Sequence, residues 1–196
     1  MISVLIDTSN RNLSVALAQD GKILDSVEYD AWQKQSEFLV AELDKLCKKN
    51  HIDPKAIGEV VAAKGPGSYT GVRIAISVAK VMAFALSIPL YLVSSLEDMK
   101  DEGKPSICLM NARSKRSYIG VYEGENVLVL DTIWDNEAVL KYISEHPRYS
   151  IMGDVSYLGL EGKKPNLFKN LLLGDKDKYR VSNVLEAKPV YLKDLC

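Results

Sequence analysis

Nine residues, Gly65-Pro66-Gly67-Ser68-Tyr69-Thr70-Gly71-Val72-Arg73, constrain this chain more than any other stretch. They lie between one apolar run, Val60-Val61-Ala62-Ala63, and another that continues from Ile74-Ala75-Ile76 to Leu86. Three glycines and a proline so close together require a tight turn with some positive φ angles. Ser68 and Thr70 each carry a hydroxyl suited to capping a helix that starts near Val72. A strand that turns through glycine into a helix leaves N–H groups unpaired, which suits an anion or a closely packed backbone neighbour. No Gly-Lys-Ser/Thr closes the turn, so it is not a P-loop. A tight turn that merely ends a strand accounts for the residues as well as an anion site does.

The pattern on either side supplies the element order. Met1 to Asp7 reads as a buried strand, and Leu13 to Ala18 and Lys22 to Val27 alternate as two more. Ser9-Asn10-Arg11-Asn12 and Gln19-Asp20-Gly21 separate them as turns, which makes an antiparallel meander. Phe38, Leu39, Leu43, Leu46 and Cys47 then line one side of a helix from about Gln35 to Lys49. Asp53-Pro54 interrupts, Ile57 to Ala63 leads into the glycine turn, Pro89 ends the second helix, and Leu90 to Val93 returns as a strand. Asp98 to Lys104 is polar and marks a lobe boundary. A thinner copy of the opening follows: strands at Ile107–Met110, Tyr118–Tyr122 and Asn126–Leu130, a helix at Glu137–Glu145 and a strand at Ser150–Met152. From Lys163 onward the pattern is mixed and assigns no element.

The nine-residue segment and the helix after it resemble the hallmark of the TsaB (YeaZ) family. Ile6-Asp7-Thr8-Ser9, Ser94-Ser95-Leu96, Asn111-Ala112-Arg113, Gly153-Asp154 and Pro189-Val190-Tyr191-Leu192-Lys193 fall in the same order as in that family, over nearly the whole chain. The glycine segment is the specific part of the likeness. The resemblance implies an α/β, two-lobed fold of the actin-like, ribonuclease-H-like (ASKHA) superfamily with a reduced second lobe, divided into residues 1–100 and 101–196. It implies a cytoplasmic, non-catalytic scaffold that dimerises with TsaD and supports threonylcarbamoylation of N6 of adenosine 37, in tRNAs reading codons that begin with A. TsaE would join that pair with ATP or ADP near the junction. The chain alone would form a homodimer and would bind no cofactor tightly, and tRNA would be met only through the complex.

Each candidate site has a functional and a plain reading. Asp7, Thr8 and Ser9 stand where actin-like ATPases hold metal and phosphates, and they are the nucleotide vicinity the resemblance implies. The plain reading is an Asx or Ser/Thr turn, which is favoured unless a second acid joins them. That acid is expected after the Ile107–Met110 strand, where relatives carry Asp-Ala-Arg and this chain has Asn111. Asparagine keeps the hydrogen-bonding shape, loses the charge and cannot act as a general base. Gln35-Ser36-Glu37 stands where many relatives have His-Ser-Glu, and glutamine is a poor metal ligand. His51 and His146 share no spacing of a metal pair, so no metal site and no catalytic residue is assigned. Ser68 has no Gly-x-Ser-x-Gly elbow around it, which excludes proteolysis by that route.

The second helix is apolar nearly all round, with Arg73, Ser77 and Lys80 on one stripe, and must be covered on several sides. Its own lobes are one cover. By resemblance the other is TsaD, meeting Trp32, Gln35, Phe38 and Leu39 beside the first helix and Val72, Ile76, Ala79 and Ala83 on the second. Gly65, Pro66, Gly67, Ser68, Thr70, Gly71 and Arg73 make the motif turn. Arg113-Ser114-Lys115-Arg116 and Lys163-Lys164 read as solvated tips, although they could touch phosphates. A net charge of −1 gives no global attraction to nucleic acid. Cys47, Cys108 and Cys196 read as reduced thiols, the start carries no secretory pattern, and the run from Val72 to Leu90 is too interrupted for a membrane span. The rival reading is an autonomous nucleotide-binding ATPase or kinase-like protein.

Overall fold

The computed structural model describes residues 1–172 and 176–193. Cys196 lies outside the described residues; Cys47 and Cys108 are buried free thiols. Strands β1 (Ile2–Asp7), β2 (Asn12–Gln19) and β3 (Lys22–Asp30) form the meander. Helix α1 (Gln35–Lys49) leads to β4 (Ile57–Ala63), which pairs parallel to β1. Helix α2 (Tyr69–Leu86) leads to β5 (Leu90–Val93), parallel to β4. The order in the sheet is β3-β2-β1-β4-β5.

The second sheet repeats the plan. Strands β6 (Ser106–Arg113), β7 (Arg116–Glu123) and β8 (Asn126–Asp135) form a meander, helix α3 (Asn136–Glu145) crosses over, and β9 (Ser150–Met152) pairs parallel to β6. Its order, β8-β7-β6-β9, is that of the first sheet without the fifth strand. Strand β8 runs five residues beyond the expected Leu130, through Asp135, because Thr132, Ile133 and Trp134 stay in register with Ile119, Tyr118 and Ser117.

Strand alternation sends side chains to two faces. Val4, Ile6, Leu13, Val15, Leu17, Val60 and Ala62 meet Leu39, Leu43, Val72, Ala75, Ile76, Ala79 and Ala83 of α1 and α2. Leu5, Ala16, Ala18, Val61, Tyr91 and Val93 face the other way. By length and composition α2 could cross a membrane, yet one of its faces is buried on this sheet. It starts at Tyr69, earlier than Val72, because Ser68 and not Thr70 is the cap: its Oγ accepts the Gly71 N–H at 3.3 Å. It stops where Ser87 turns left-handed (φ 56°) ahead of Pro89.

The tail, unassigned from sequence, does not stay with the second sheet. Helix α4 (Leu167–Leu171) is capped by Asn166, whose side chain accepts from the Lys169 N–H. Phe168 and Leu171 pack on the free face of the first sheet, while Leu167 joins Leu96, Met99, Cys108 and Met152 against the second. Beyond it, the Val181 N–H bonds to the Leu90 carbonyl, Ala187 enters the α1–α2 core, and the Lys80 ammonium holds the Leu185 and Ala187 carbonyls at 2.7 and 3.1 Å.

Candidate functional site

The ends of β1 and β6 and the glycine turn converge on a cleft of about 980 Å³ between the two sheets. Ser9 to Asn12, Trp32, Gly67 to Tyr69, Asn111 to Arg113 and Gly153-Asp154 contribute to its walls. Its charges are largely paired. Arg11 bridges Asp30 at 3.0 Å, Lys164 bridges Glu28 at 2.9 Å, and the Lys193 ammonium bonds to the Ala112 carbonyl. The Asn111 side chain accepts the Arg113 N–H at 2.8 Å. A polyphosphate needs uncommitted cations and N–H donors, and among the described residues Arg11, Lys164 and Lys193 of these walls are already committed, leaving Arg113.

The glycine turn is a backbone knot more than an anion cradle. The Ser68 N–H donates to the Ser9 carbonyl at 2.7 Å, the Gly65 N–H to Ser95 Oγ at 3.1 Å, and the Val72 N–H to the Ser68 carbonyl at 2.9 Å. Of the two options the sequence leaves open, the close-packed backbone neighbour is the one these donors serve. A Cβ on Gly67 would strike the Ser9 carbonyl, and one on Gly71 the Thr8 carbonyl, so side chains are excluded there by contact. Thr8 Oγ1 donates to the Gly71 carbonyl at 2.7 Å, which ties the β1 turn to α2. Pro66 follows Gly65 through a cis bond. Thr70 is exposed, and Arg73 donates to the Tyr69 hydroxyl at 2.8 Å, above which Tyr191 of the tail stacks.

Of Asp7, Thr8 and Ser9, only Ser9 lines the cleft. Asp7 is buried, accepts the Ser9 N–H at 2.6 Å, and has its carboxyl raised above the usual range by that burial. Asn111 supplies no companion acid, but the fold brings one from an unexpected place. Asp98, in the polar stretch expected to mark a lobe boundary, is 1% exposed and lies within the electrostatic reach of Asp7. Asp131 of β8 sits nearby, accepting from Ser94 and from the Tyr122 hydroxyl. Leu96 and Met99, apolar on either side of Asp98, were the local signal that this stretch turns inward. Among the described residues, no three His, Cys, Asp or Glu side chains group as metal ligands. His51 is exposed after α1, and His146 ends α3 between Tyr142 and Tyr149.

Most of the eight residues expected at a partner face are buried within this chain. Gln35, Leu39, Val72, Ile76, Ala79 and Ala83 are buried in this chain's own core. Trp32 stands at the cleft rim under Arg11, and Phe38 is half-buried against Tyr29. Gln35 donates to the Asn10 and Arg11 carbonyls at 3.1 and 3.4 Å, so its role is to fix α1 to the first hairpin. The helix face left open carries Val40 (59% exposed), Val81 (68%) and Phe84 (63%), with Ile74 and Val78 half-buried between them.

Against known proteins, residues 29–169 match the family model described as TsaD, tRNA N6-adenosine threonylcarbamoyltransferase. The tRNA threonylcarbamoyladenosine biosynthesis protein TsaB of Bacillus subtilis is 34% identical over 146 residues, covering 71% of this chain and 63% of that protein. The TsaB of Buchnera aphidicola subsp. Schizaphis graminum is 28% identical over 142 residues, covering 69% of this chain and 65% of that protein. The chain thus spans less than two thirds of the length of both these relatives. The structure of YeaZ from Pseudomonas aeruginosa superposes with a TM-score of 0.77 at 22% identity, over 97% of this chain and 99% of that one. The actin-like, ribonuclease-H-like fold expected from the resemblance is the fold of this chain.

Proposed function

The chain belongs to the TsaB (YeaZ) family, within the wider group matched by the TsaD model, and from that premise we propose that it serves threonylcarbamoyladenosine formation in tRNA as a non-catalytic subunit. Its partner in this reading is TsaD, which supplies the transfer chemistry at N6 of adenosine 37 in tRNAs reading codons that begin with A. TsaE joins the pair with ATP or ADP at the junction, tRNA is engaged only by the assembly, and the setting is cytoplasmic. Alone, the chain pairs with itself through the same helices.

The observation that carries this reading is the open apolar face of α1 and α2. Val40, Val81 and Phe84 stand in solvent beside Ile74 and Val78 on helices otherwise anchored in the core. Apolar and aromatic residues grouped this way suit the centre of an interface. The residues beneath it, Val72, Ile76, Ala79 and Ala83, contribute by holding α2 in place. The paired charges of the cleft and Asn111 support a subunit without its own hydrolytic chemistry.

Co-purification with the TsaD of its own organism tests the proposal. A stable 1:1 complex is expected, lost when Val81→Asp or Phe84→Asp is introduced, with each variant still folded alone by circular dichroism. No complex with TsaD, even with TsaE and ATP present, overturns it. The 980 Å³ cleft keeps an autonomous nucleotide-binding ATPase or kinase-like protein as the second reading. Magnesium-dependent ATP turnover by the purified chain, abolished by a substitution at Ser9, would favour that one.

A further inference from the structure

Asp98 occupies an unusual place for a carboxylate. It sits in the connection between the two sheets, 1% exposed, and neither of its side-chain oxygens has a hydrogen-bond partner among the described residues. Its own backbone carbonyl is held at 2.6 Å by the Asn170 side-chain amide of α4, so the segment is pinned from the tail side. The hydroxyls of Ser9 and Ser14, buried near Asp7 on the turn after β1 and on β2, are likewise without partners.

Every ionisable side chain that acts on Asp98 is acidic. Asp7 approaches from β1, Asp131 from β8 and Glu97 from its own turn, and the Cys108 thiol of β6 also lies within its influence. The cations of this region are committed to the outer carboxylates. Lys178 lies 3.6 Å from Glu97 and 2.7 Å from Glu125, while Lys100 lies 3.7 Å from Glu97 and 3.4 Å from Glu125. Lys64 acts on Asp131. An isolated charge in such a place is so costly that the group neutralises instead. A bound cation is the other solution, but among the described residues no three of these side chains group closely enough to ligate one.

We propose that Asp98, buried and with neither side-chain oxygen hydrogen-bonded, carries a proton at neutral pH, so that the joint between the two sheets is a proton-dependent clasp. The closing contacts are those of Asp98, Asn170 and the apolar residues Leu96, Met99 and Leu167 around them. Burial, reinforced by Asp7, holds the Asp98 carboxyl well above the usual carboxylate range. Loss of the proton leaves an unpaired charge in a water-poor joint, and the joint loosens.

The sign follows from linkage. With its folded pKa raised, Asp98 is protonated in the folded chain and ionised in the unfolded one above a pH of about 4. Its contribution is full below that pH and declines as pH rises to the folded value, by up to about tenfold in the unfolding constant per pH unit. Urea unfolding of the full chain at a series of pH values, alongside Asp98→Asn, reads this directly. The expected result is a wild-type loss on the alkaline side that the variant lacks. Asparagine keeps the shape and cannot ionise. If the variant fails to fold, the carboxyl carbon shift of Asp98 in the wild type at pH 7 decides the matter, and a protonated carboxyl is expected. Parallel slopes in wild type and variant, or an ionised Asp98 at pH 7, overturn the proposal. So does stabilisation by magnesium or potassium chloride that Asp98→Asn abolishes, since a cation would then hold the site.

Discussion

The two sheets are the same design executed at different depth. In the first, a meander, a crossover helix and a parallel strand are followed by the glycine turn, an 18-residue helix and a fifth strand. In the second, β9 is followed by Gly153-Asp154 and only a short turn of 3-10 helix at Ser156–Leu158. The crossover helices differ in the same sense. Helix α1 buries Leu39, Leu43, Leu46 and Cys47, whereas α3 fully buries only Val139. A unit that lacks the second helix has less apolar surface to cover its sheet, and here the linker and α4 provide the missing cover. The first unit has the opposite condition, a helix with one apolar face buried and another in solvent. One unit borrows cover from its own chain, and the other leaves an apolar helix face in solvent.

The comparison breaks or sharpens at defined positions. The largest effect is expected at Gly71, where a Cβ meets the backbone of Thr8 and neither strand nor helix can yield. Gly71→Ala should cost about 4 kcal/mol or more, measured by urea unfolding. Gly124→Ala, in the second unit's hairpin with φ +58° and open space around it, should cost only about 1 kcal/mol.

Next come the crossover helices themselves. Leu39→Ala should cost about 2–5 kcal/mol, and Val139→Ala about 1–2 kcal/mol, with less side chain removed. Equal losses at the two sites would argue that the second core is as deep as the first. At the caps the difference shrinks. Ser68→Ala removes the bond to the Gly71 N–H and should cost about 1 kcal/mol. Asp135, the cap residue of α3, makes no such side-chain bond, and Asp135→Ala should cost about 0.5 kcal/mol or less. Thermal melts of the pair resolve the ranking.

The smallest effect concerns acid. Asp101 accepts from the Gly103 N–H, from Ser150 Oγ and from the Lys163 ammonium, which together lower its carboxyl to about 2. Its contribution is therefore present above the unfolded value of about 4 and is lost as pH falls toward 2. Asp101→Asn should flatten that acid-side loss slightly in a pH series and leave the alkaline side unchanged. It thus separates the rim of the second unit from the buried Asp98, whose dependence runs the other way.

Much of the architecture was legible residue by residue. An apolar run marked β1, alternation marked β2 and β3, the 3.6-residue period marked α1, and Pro89 ended α2 close to where the helix stops. Helix α4 was missed although its signal is present: Asn166 as a cap, with Leu167, Phe168 and Leu171 at helical spacing. Five residues carry too little periodicity to stand out from a mixed tail. The candidate site was less legible. Ser9, Asn111 and the glycine turn, all singled out from sequence, come together at the cleft because the ends of strands collect in one place in such a fold. Asp98 and Asp131 were not singled out, because the burial of Asp98 within reach of Asp7 and Asp131 joins segments far apart in sequence. The α2 residues expected at an interface fall on its buried side, because a helix apolar all round gives no clue to which half the sheet takes.

The sequence by itself determined the order of the elements, the place of the tight turn and the pairing of apolar faces with strands and helices. These are local matters: backbone geometry at glycine and proline, and the period with which apolar side chains recur. Only the tertiary structure decided that the glycines make room for the β1 turn, that α4 fills the joint, that Asp98 is buried and that Val81 and Phe84 remain outside. Those outcomes depend on which surfaces meet and which are left over. Burial is a property of the assembled chain, and no short stretch of sequence contains it.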